Sequence, residues 1–337
     1  MQKNTKKLLN IFFVLIVISL TIYGLFANLD LDSFVDSFSG INWIYCALSV
    51  PVALLSHLVR ALRWRLYVNP IKKDVSLFNL FSAVMVGYAV NNWTPRGGEL
   101  VRPYVLARRV NCSKSSLIAT IIVERLIDVF FLLLMFCLVF LLSKELILQA
   151  FPWLNTNTLT LMGGLVFLVV LCLFLLLTTN IFDNLLNKIL RKLSAKWTER
   201  IYNIWRAFKL GFETLKTPRD YLYNFLYSCL IWLLYTIPSY LMFFAFDFQN
   251  TAHLTIIDAG LLVVVSGIGM SIAPVPGGIG VYHWIAVTCI VNLYPQISTE
   301  EALAYATVSH GINLLIQVLA GGLFMLRENI RNVDLKE

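Results

Sequence analysis

The sequence predicts an all-α fold, a polytopic helical bundle formed by one integral membrane domain, residues 1–337. Hydrophobic residues make up 58% of the chain and charged residues only 14%, whereas about a quarter of an average soluble domain is charged. Apolar runs of about 20 residues recur along the chain, and this is the length of a helix that spans a bilayer. Backbone groups in hydrocarbon must bond within the protein, so such runs predict helices.

The Lys and Arg residues that give the chain its net charge of +8 cluster at the ends of apolar runs. This distribution indicates membrane topology and not nucleic-acid binding. Lys3, Lys6 and Lys7 precede the first run, and basic residues also follow the last one. The positive-inside bias therefore predicts a multi-pass protein of the cytoplasmic (inner) membrane with both termini in the cytoplasm.

Six apolar runs predict full crossings. The second run is followed by Arg60, Arg63 and Arg65, which we interpret as its cytoplasmic flank. Pro238 lies inside the fifth run and predicts a kink there unless neighbouring groups bond the freed carbonyl. The six runs lie at about residues 8–27, 41–59, 117–142, 159–177, 221–246 and 302–326.

A shorter apolar run, at about 77–90, ends in the sequence Pro-Arg-Gly-Gly-Glu. If this run crossed the membrane fully, the arginines that follow it would lie outside the cell, against the positive-inside bias. We therefore expect a re-entrant segment at about 77–107 that turns at the two glycines. Non-helical backbone is tolerated at this depth where protein or a wet cavity surrounds it. A full third crossing is the alternative.

A second Pro-Gly-Gly break, at 274–280, follows the first by 180 residues. After each break comes a long apolar run with polar residues at positions i, i+1 and i+4. The two runs cross in opposite directions on the predicted topology, so we expect inverted repeats, a plan that transporters use. Coincidence of short motifs is the alternative. The halves are residues 8–142 and 221–326, and the polar triplets are Glu124, Arg125 and Asp128 in the first and Ser309, His310 and Asn313 in the second.

The connection between the halves, about 180–220, carries nine Lys or Arg residues against four acids. Its apolar residues recur at helical spacing between the basic ones. This pattern predicts an amphipathic helix on the cytoplasmic surface of the membrane. Docking of a partner protein on this helix is the alternative.

The first break contains residues suited to binding an anion. Gly97 and Gly98 permit close approach and positive φ angles, and backbone amides at the start of the returning helix point toward the break. Arg96 and Arg102 suit a phosphate, whereas Glu99 suits an amine, a sugar hydroxyl or Arg102 itself. The alternative is a structural turn whose polar neighbours only satisfy buried backbone.

The charged triplet of the first half, Glu124, Arg125 and Asp128, lies within an apolar run. Each ion would cost roughly 2.5–3.5 kcal/mol there if it faced lipid. We therefore expect the three side chains to face protein or water, with Glu124 and Asp128 on one face of the helix. They are candidates for direct substrate contact, and a buried ion-pair network that fixes the re-entrant segment fits them equally well.

Candidate residues of the second half are Pro276, Gly277 and Gly278 at the break, with His310 and Asn313 on the last span. Polarity on one side of this span suggests an interior cavity, although a single intramembrane histidine is more often a hydrogen-bonded packing residue. No pattern typical of a catalytic nucleophile, a metal site or a nucleotide-binding loop occurs in the sequence. The sequence therefore predicts no enzyme, no metal and no cofactor.

Three motifs in this order resemble the lysylphosphatidylglycerol synthase transmembrane region, also called the flippase-like or UPF0104 family. The resemblance extends over about residues 10–327. It implies movement of lipids or lipid-linked sugars across the cytoplasmic membrane by a stand-alone member without the aminoacyl-transferring domain. The motifs are Pro95 to Glu99 with Arg102, then Glu124-Arg125 with Asp128, then Pro274 to Gly280.

These observations favour a translocase of an anionic phospholipid or a lipid-linked intermediate, with a membrane lipid as its partner. Arg96, Arg102 and Arg125 would attract the phosphate, and the two breaks would form a hinged centre. The main alternative is an accessory or scaffold protein for a glycosyltransferase or lipid-modifying enzyme, docked through 180–220. A lipid-modifying membrane enzyme is the less favoured third hypothesis. The sequence does not indicate an oligomeric state.

Overall fold

The computed structural model describes residues 29–150, 217–273 and 275–328, together with Leu215 and scattered positions within 16–27 and 155–168. This part of the chain is helical and contains no β-strand, which confirms the all-α fold. The helices are α1 Leu31–Asp36, α2 Trp43–Val68, α3 Leu77–Asn91, α4 Gly98–Val110, α5 Lys114–Leu142, α6 Lys144–Ala150, α7 Pro218–Ala245, α8 Phe248–Thr251, α9 Ile256–Ile272, α10 Val281–Leu293 and α11 Thr299–Glu328.

Within the described residues, five helical segments are long and apolar enough to cross a membrane, which confirms a polytopic membrane bundle. The predicted runs at 117–142, 221–246 and 302–326 correspond to α5, α7 and α11, and α2 extends the run at 41–59 as far as Val68. The five segments are Trp43–Val68, Lys114–Leu142, Pro218–Ala245, Pro276–Leu293 and Thr299–Glu328.

Three predicted segments lie largely outside the described residues: the runs at 8–27 and 159–177 and the basic connection at 180–220. Pro238, where the sequence predicted a kink, lies inside a single helix, because α7 continues through this residue to Ala245.

Large apolar side chains cover the outer faces of the long helices. A soluble protein rarely exposes such contiguous apolar surface, whereas hydrocarbon is its natural surrounding in a bilayer. The outward-facing leucines of α5 and α11 include Leu141, Leu319, Leu323 and Leu326, whose relative exposures are 70%, 64%, 69% and 72%.

Short polar side chains fix the ends of the helices around the candidate site. Asn111 ends α4 in the left-handed conformation, with a φ angle of 50°. Two residues later, the Ser113 side chain accepts a hydrogen bond from the amide of Ser116 and begins α5. Thr217 and Asp220 form a capping box at the start of α7. These caps satisfy amides that a helix cannot bond internally.

The first break joins α3 and α4, which have 15 and 13 residues. Helices of this length are about 22 and 20 Å long, shorter than a hydrocarbon core of about 30 Å. They pack backbone to backbone, because a Cβ built on Gly98 would lie 1.9 Å from the carbonyl oxygen of Gly87. This hairpin of two short helices occupies the segment predicted at 77–107. Its depth in a bilayer stays a prediction.

The second break joins α9 to α10 through a short 3-10 turn, Pro276–Gly278. Gly277, Gly278 and Gly280 have φ angles of 61°, 71° and 83°. Side chains with a Cβ rarely adopt such angles, so the glycines allow the chain to reverse within a few residues. The predicted break at 274–280 therefore corresponds to a change of direction between two apolar helices.

The helices of the two halves pack in corresponding ways. The first long helices, α2 and α7, pack on each other antiparallel. Gly321 of α11 lies against Met85 of α3, and Asn92 beyond α3 bonds Gln317, so this pair is also antiparallel. In the corresponding pair, Gly260 and Gly267 of α9 lie against Val139 and Leu132 of α5, again antiparallel. In each case the first helix of one half's break packs on the last long helix of the other half. This is the arrangement that the inverted repeat predicts.

The two corresponding interfaces differ at their outer ends. Between α3 and α11, Arg327 donates to Asn79 at 2.8 Å, and Ser82 donates to Glu328 at 2.8 Å. At the far ends of α5 and α9 the surface of the described residues instead has a depression of about 470 Å³, bordered by Lys144 and its neighbours. We call the two hydrogen bonds between α3 and α11 the latch; no equivalent bonds are found at the depression among the described residues.

Candidate functional site

Four arginines and three carboxylates meet where α2, α4 and α5 come together. Ion pairs of 3.9 Å or less connect all seven side chains, and the arginines exceed the carboxylates by one, which gives a formal charge of +1. We call this group the arginine cluster. Its members are Arg60 and Arg63 from α2, Glu99 and Arg102 from α4, and Glu124, Arg125 and Asp128 from α5.

Glu124 lies at the centre of the arginine cluster, with 0% of its side chain exposed. Its Oε1 atom accepts hydrogen bonds from Nη1 of Arg60 at 2.7 Å and Nη1 of Arg102 at 3.0 Å. One carboxylate oxygen thus joins three helices. The other oxygen, Oε2, is buried without a hydrogen-bond partner, which is uncommon for a buried acceptor.

Asp128 lies one helical turn beyond Glu124 and completes the ion pairs of the α2 arginines. Its carboxylate accepts hydrogen bonds from both Arg60 and Arg63 and lies 3.3 Å from Nη2 of Arg125. Buried ions of this kind are tolerated only when charge and hydrogen bonds are matched. Glu124 and Asp128 share one face of α5, as the sequence predicted.

Arg102 has hydrogen-bond donors that the protein does not use. Its guanidinium carbon lies 3.9 Å from the ring centroid of Trp64, a cation–π contact. Nη1 bonds Glu124, whereas Nε and Nη2 are buried without partners. The planar fork of an arginine matches the oxygens of a phosphate or carboxylate, so these free donors suit an oxyanion.

A cavity of about 40 Å³ lies beside Arg102, between the two helices of the first break and α5. A water molecule needs roughly 10–15 Å³ of such volume, so the cavity holds two or three waters or the oxygens of one small anion. Its polar lining comes mainly from the arginine cluster and consists of Arg60, Arg102, Arg125, Glu99, Tyr88 and Asn91.

Small residues in the first break bring Arg102 to Glu124. A Cβ on Gly87 would lie 3.2 Å from the Cβ of Arg102, so a larger residue there would push α4 away from α3. The amide of Gly98 donates to the side chain of Asn91 at 2.8 Å. The amides at the start of α4 are therefore bonded within the protein and do not point into the break, as the sequence had suggested.

Two tyrosines connect the arginine cluster to the second half of the chain. Arg60 donates from Nε and Nη2 to the hydroxyl of Tyr235 in α7, at 3.2 and 2.9 Å. The hydroxyl of Tyr235 lies 3.4 Å from that of Tyr88 in α3. A movement of α7 would therefore change the hydrogen bonds of Arg60 and the position of Tyr88 in the cavity lining.

Arg96 lies apart from the arginine cluster. It has a φ angle of 57° and donates from Nη2 to the backbone oxygen of Ser271 at 2.9 Å. The first break thus touches the end of α9, immediately before the second break. Gly97 faces Thr94 within its own turn, and a Cβ built on it would lie 2.1 Å from the Thr94 hydroxyl oxygen.

The predicted residues of the second half form a separate group. Gly278 lies near Met270 and His310, and Gly277 lies near Asn92 of the first break. The two breaks therefore meet. Asn313 donates to the backbone oxygen of Ser309 within its own helix, and Pro276 begins the 3-10 turn.

Arg60 and Arg63 do not form an exposed flank of the second run, as the sequence had predicted, whereas the cytoplasmic position of this end stays a prediction. Their relative exposures are 5% and 0%, because α2 continues to Val68 and carries both arginines into the bundle. Their spacing of three residues, which puts both on one face of a helix, is the sequence signal that would have indicated this. Arg65 is less buried than either.

The sequence profile of the lysylphosphatidylglycerol synthase TM region matches residues 8–321. This chain belongs to that family. A member of the lysylphosphatidylglycerol synthase TM-region family, it is similar to the UPF0104 membrane protein of Methanothermobacter thermautotrophicus. The two are 26% identical, over 80% of this chain and 81% of the relative.

Two further relatives are also UPF0104 membrane proteins. The protein of Pyrococcus horikoshii is 26% identical over 84% of this chain and 87% of the relative. The protein of Methanocaldococcus jannaschii is 29% identical over 34% of this chain and 35% of the relative. The predicted family resemblance is confirmed, and the matched region includes both breaks and the arginine cluster.

Proposed function

We propose that this protein translocates an anionic phospholipid or lipid-linked intermediate across the cytoplasmic membrane. Its membership of a family named for the membrane region of a lipid-modifying synthase supports a lipid-related role. The observation that carries the proposal is the cavity lined by Arg60, Arg102 and Arg125, because two buried guanidinium nitrogens of Arg102 have no partner among the described residues.

The charge of the arginine cluster favours an anionic guest. Four arginines face three carboxylates, so one positive charge is unmatched in a region of low dielectric. A phosphate oxygen in the cavity would meet Arg60, Arg102 and Arg125 together and would balance this charge. A neutral lipid would leave it unmatched.

The inverted arrangement of helices offers a way to expose such a site to each side in turn. The latch between α3 and α11 and the surface depression between α5 and α9 lie at positions that correspond in the predicted repeat. Exchange of these two arrangements would move access from one side to the other around a fixed anion site, as in other transporters with inverted repeats.

The proposal is tested with purified protein in liposomes that contain fluorescent phosphatidylglycerol in one leaflet. We expect the wild-type protein to accelerate movement between leaflets and Arg102→Ala to reduce the rate by about 10- to 100-fold, as expected for loss of charge-assisted bonds of ~1.5–3 kcal/mol. Arg109→Ala is the matched control, because Arg109 is an exposed arginine on the same helix. Equal rates for the three proteins would contradict the proposed site.

Lipid specificity provides a second test of the same site. A fluorescent neutral lipid such as diacylglycerol with a sugar headgroup should move more slowly than phosphatidylglycerol in the protein-containing liposomes. Arg102→Lys keeps the charge but loses the planar fork, so its rate should lie between those of wild type and Arg102→Ala. If movement of all lipids is unchanged by the protein, the translocase proposal is wrong.

A further inference from the structure

Two histidines from different helices face each other beside the second break. The ring centroids of His283 in α10 and His310 in α11 are 5.1 Å apart. The ring of Tyr282 stacks on His310 at 5.0 Å, and its hydroxyl lies 3.1 Å from that of Ser309.

Each of these imidazoles has a nitrogen without a partner. Nδ1 of His283 and Nε2 of His310 are buried and make no hydrogen bond. A neutral imidazole carries one N–H donor and one acceptor nitrogen, whereas an imidazolium donates from both. A packing histidine normally has its polar atoms bonded. The pair therefore has unused capacity to take up a proton.

No carboxylate among the described residues pairs with either histidine. His310 lies near Gly278 of the 3-10 turn, and the sulfur of Met270 from α9 borders the same glycine. Across the described part of the chain, no ion pair joins either histidine to a carboxylate. The titratable neighbour is Tyr282, and Arg96 is the cation that bonds the end of α9. A lone buried imidazolium is costly.

A short series of contacts leads from the histidine pair to the anion cavity. Gly277, adjacent to Gly278, lies near the Asn92 side chain, which also bonds Gln317 of α11 at 3.2 Å. The preceding residue, Asn91, lines the cavity. A negative charge in the cavity would therefore stabilise a proton at the histidines, and the proton would in turn stabilise the anion.

We propose that His283 and His310 form a proton-binding site and that one proton moves together with each anionic lipid. The inference rests on the proposed function. The proton comes from water on one side, binds an unpartnered imidazole nitrogen while the phosphate occupies the cavity, and returns to water on the other side. Two imidazoliums this close would repel, so the pair holds one proton.

A pH gradient across the liposome membrane tests this coupling. Fluorescent phosphatidylglycerol is the probe because its phosphodiester does not change charge near neutral pH. A gradient of one pH unit along the direction of movement should raise the wild-type rate up to about tenfold relative to equal pH, and the opposite gradient should lower it. His283→Gln and His310→Gln should lose the response, so that each variant moves lipid at the same rate with the gradient in either direction as at equal pH.

The matched control is His253→Asn, because His253 is an exposed histidine with a positive φ angle that asparagine tolerates. This variant should respond to the gradient as the wild type does. Lipid movement in the wild type that is indifferent to the gradient would overturn the coupling and leave the translocase proposal intact. Absence of any protein-dependent movement would overturn both.

Proton uptake on lipid binding is a second measurement that needs no transport. Dioctanoyl phosphatidylglycerol is added to the detergent-solubilised protein in weak buffer with a pH-sensitive dye. We expect uptake approaching one proton per bound lipid in the wild type and in His253→Asn, and none in the two glutamine variants. Saturable binding by the wild type without proton uptake would contradict the inference, whether or not the variants fold.

Discussion

Arg96 donates a hydrogen bond to the backbone oxygen of Ser271 at 2.9 Å and so ties the turn of the first break to the end of α9. Asn92 reinforces the connection through its bond to Gln317 at 3.2 Å and its proximity to Gly277. The two breaks, 180 residues apart in sequence, thus form one junction between the halves. The first break borders the cavity through Asn91 and Gly98, and the second break borders the histidine pair through Gly278.

Removal of the Arg96 side chain should show whether contact between the two breaks affects the rate of lipid movement without affecting lipid affinity. Arg96→Ala is expected to lower the rate of phosphatidylglycerol movement while changing its affinity by less than about twofold, because Arg96 does not line the cavity. Arg102→Ala should lower both. Affinity is measured by titration in detergent and rate in liposomes. An equal loss of affinity in the two variants would show that Arg96 acts in binding.

The close approach of α3 and α4 predicts that Gly98→Ala is strongly destabilising. A Cβ at this position would lie 1.9 Å from the oxygen of Gly87, so the helices must separate. Gly311→Ala is the matched control, because no atom lies within 4 Å of its added Cβ and alanine favours a helix by about 0.5–1 kcal/mol. Thermal unfolding in detergent should show a lower midpoint only for Gly98→Ala.

Neutralisation of Glu124 should destabilise the fold far more than neutralisation of Glu99. Glu124→Gln leaves buried arginines without their shared counter-ion, at a cost of about 3–5 kcal/mol. Glu99 pairs with Arg125 at 3.9 Å and has 32% of its side chain exposed, so Glu99→Gln should cost less than about 1 kcal/mol. Thermal unfolding of the two variants gives the comparison, and similar midpoints would argue against a central role for Glu124.

The latch between α3 and α11 predicts a cross-link that stops movement of lipid. Ser82 bonds Glu328 at 2.8 Å, so Ser82→Cys with Glu328→Cys in a cysteine-free background should be joined by a short, reducible bifunctional thiol reagent that spans the length of the glutamate side chain. Transport should fall after cross-linking and return after reduction, since α3 and α11 could no longer separate at this end. Either single-cysteine variant is the control. Undiminished transport by the fully cross-linked protein would mean that this interface does not open.

Much of the fold follows from hydrophobic pattern and helix breakers alone. Apolar runs of membrane-spanning length gave α5, α7 and α11 with small errors at their ends, because hydrocarbon leaves helix as the way to satisfy backbone groups. The turn within 77–107 and the break at 274–280 could also be predicted, since glycine and proline act locally. Family membership could be read from three motifs in order.

The end of α2 shows where local pattern was insufficient. A charge at the edge of an apolar run is compatible with a cytoplasmic flank and with a buried ion pair. Arg60 and Arg63 are buried because Glu124 and Asp128, more than sixty residues later, lie opposite them. Whether such an arginine is exposed or buried depends on a carboxylate that only the packing of α2 against α5 brings near.

The sequence by itself determined a helical membrane protein with two glycine-containing breaks and charged residues where lipid would not tolerate them. The tertiary structure decided which of these residues act together: Arg102 with Glu124 and the α2 arginines, Arg96 with the end of α9, and His310 with His283. The physical reason is range. Propensity and hydrophobicity act over a few residues along the chain, whereas ion pairs and ring contacts depend on distances in space that the chain sets only after its helices have packed.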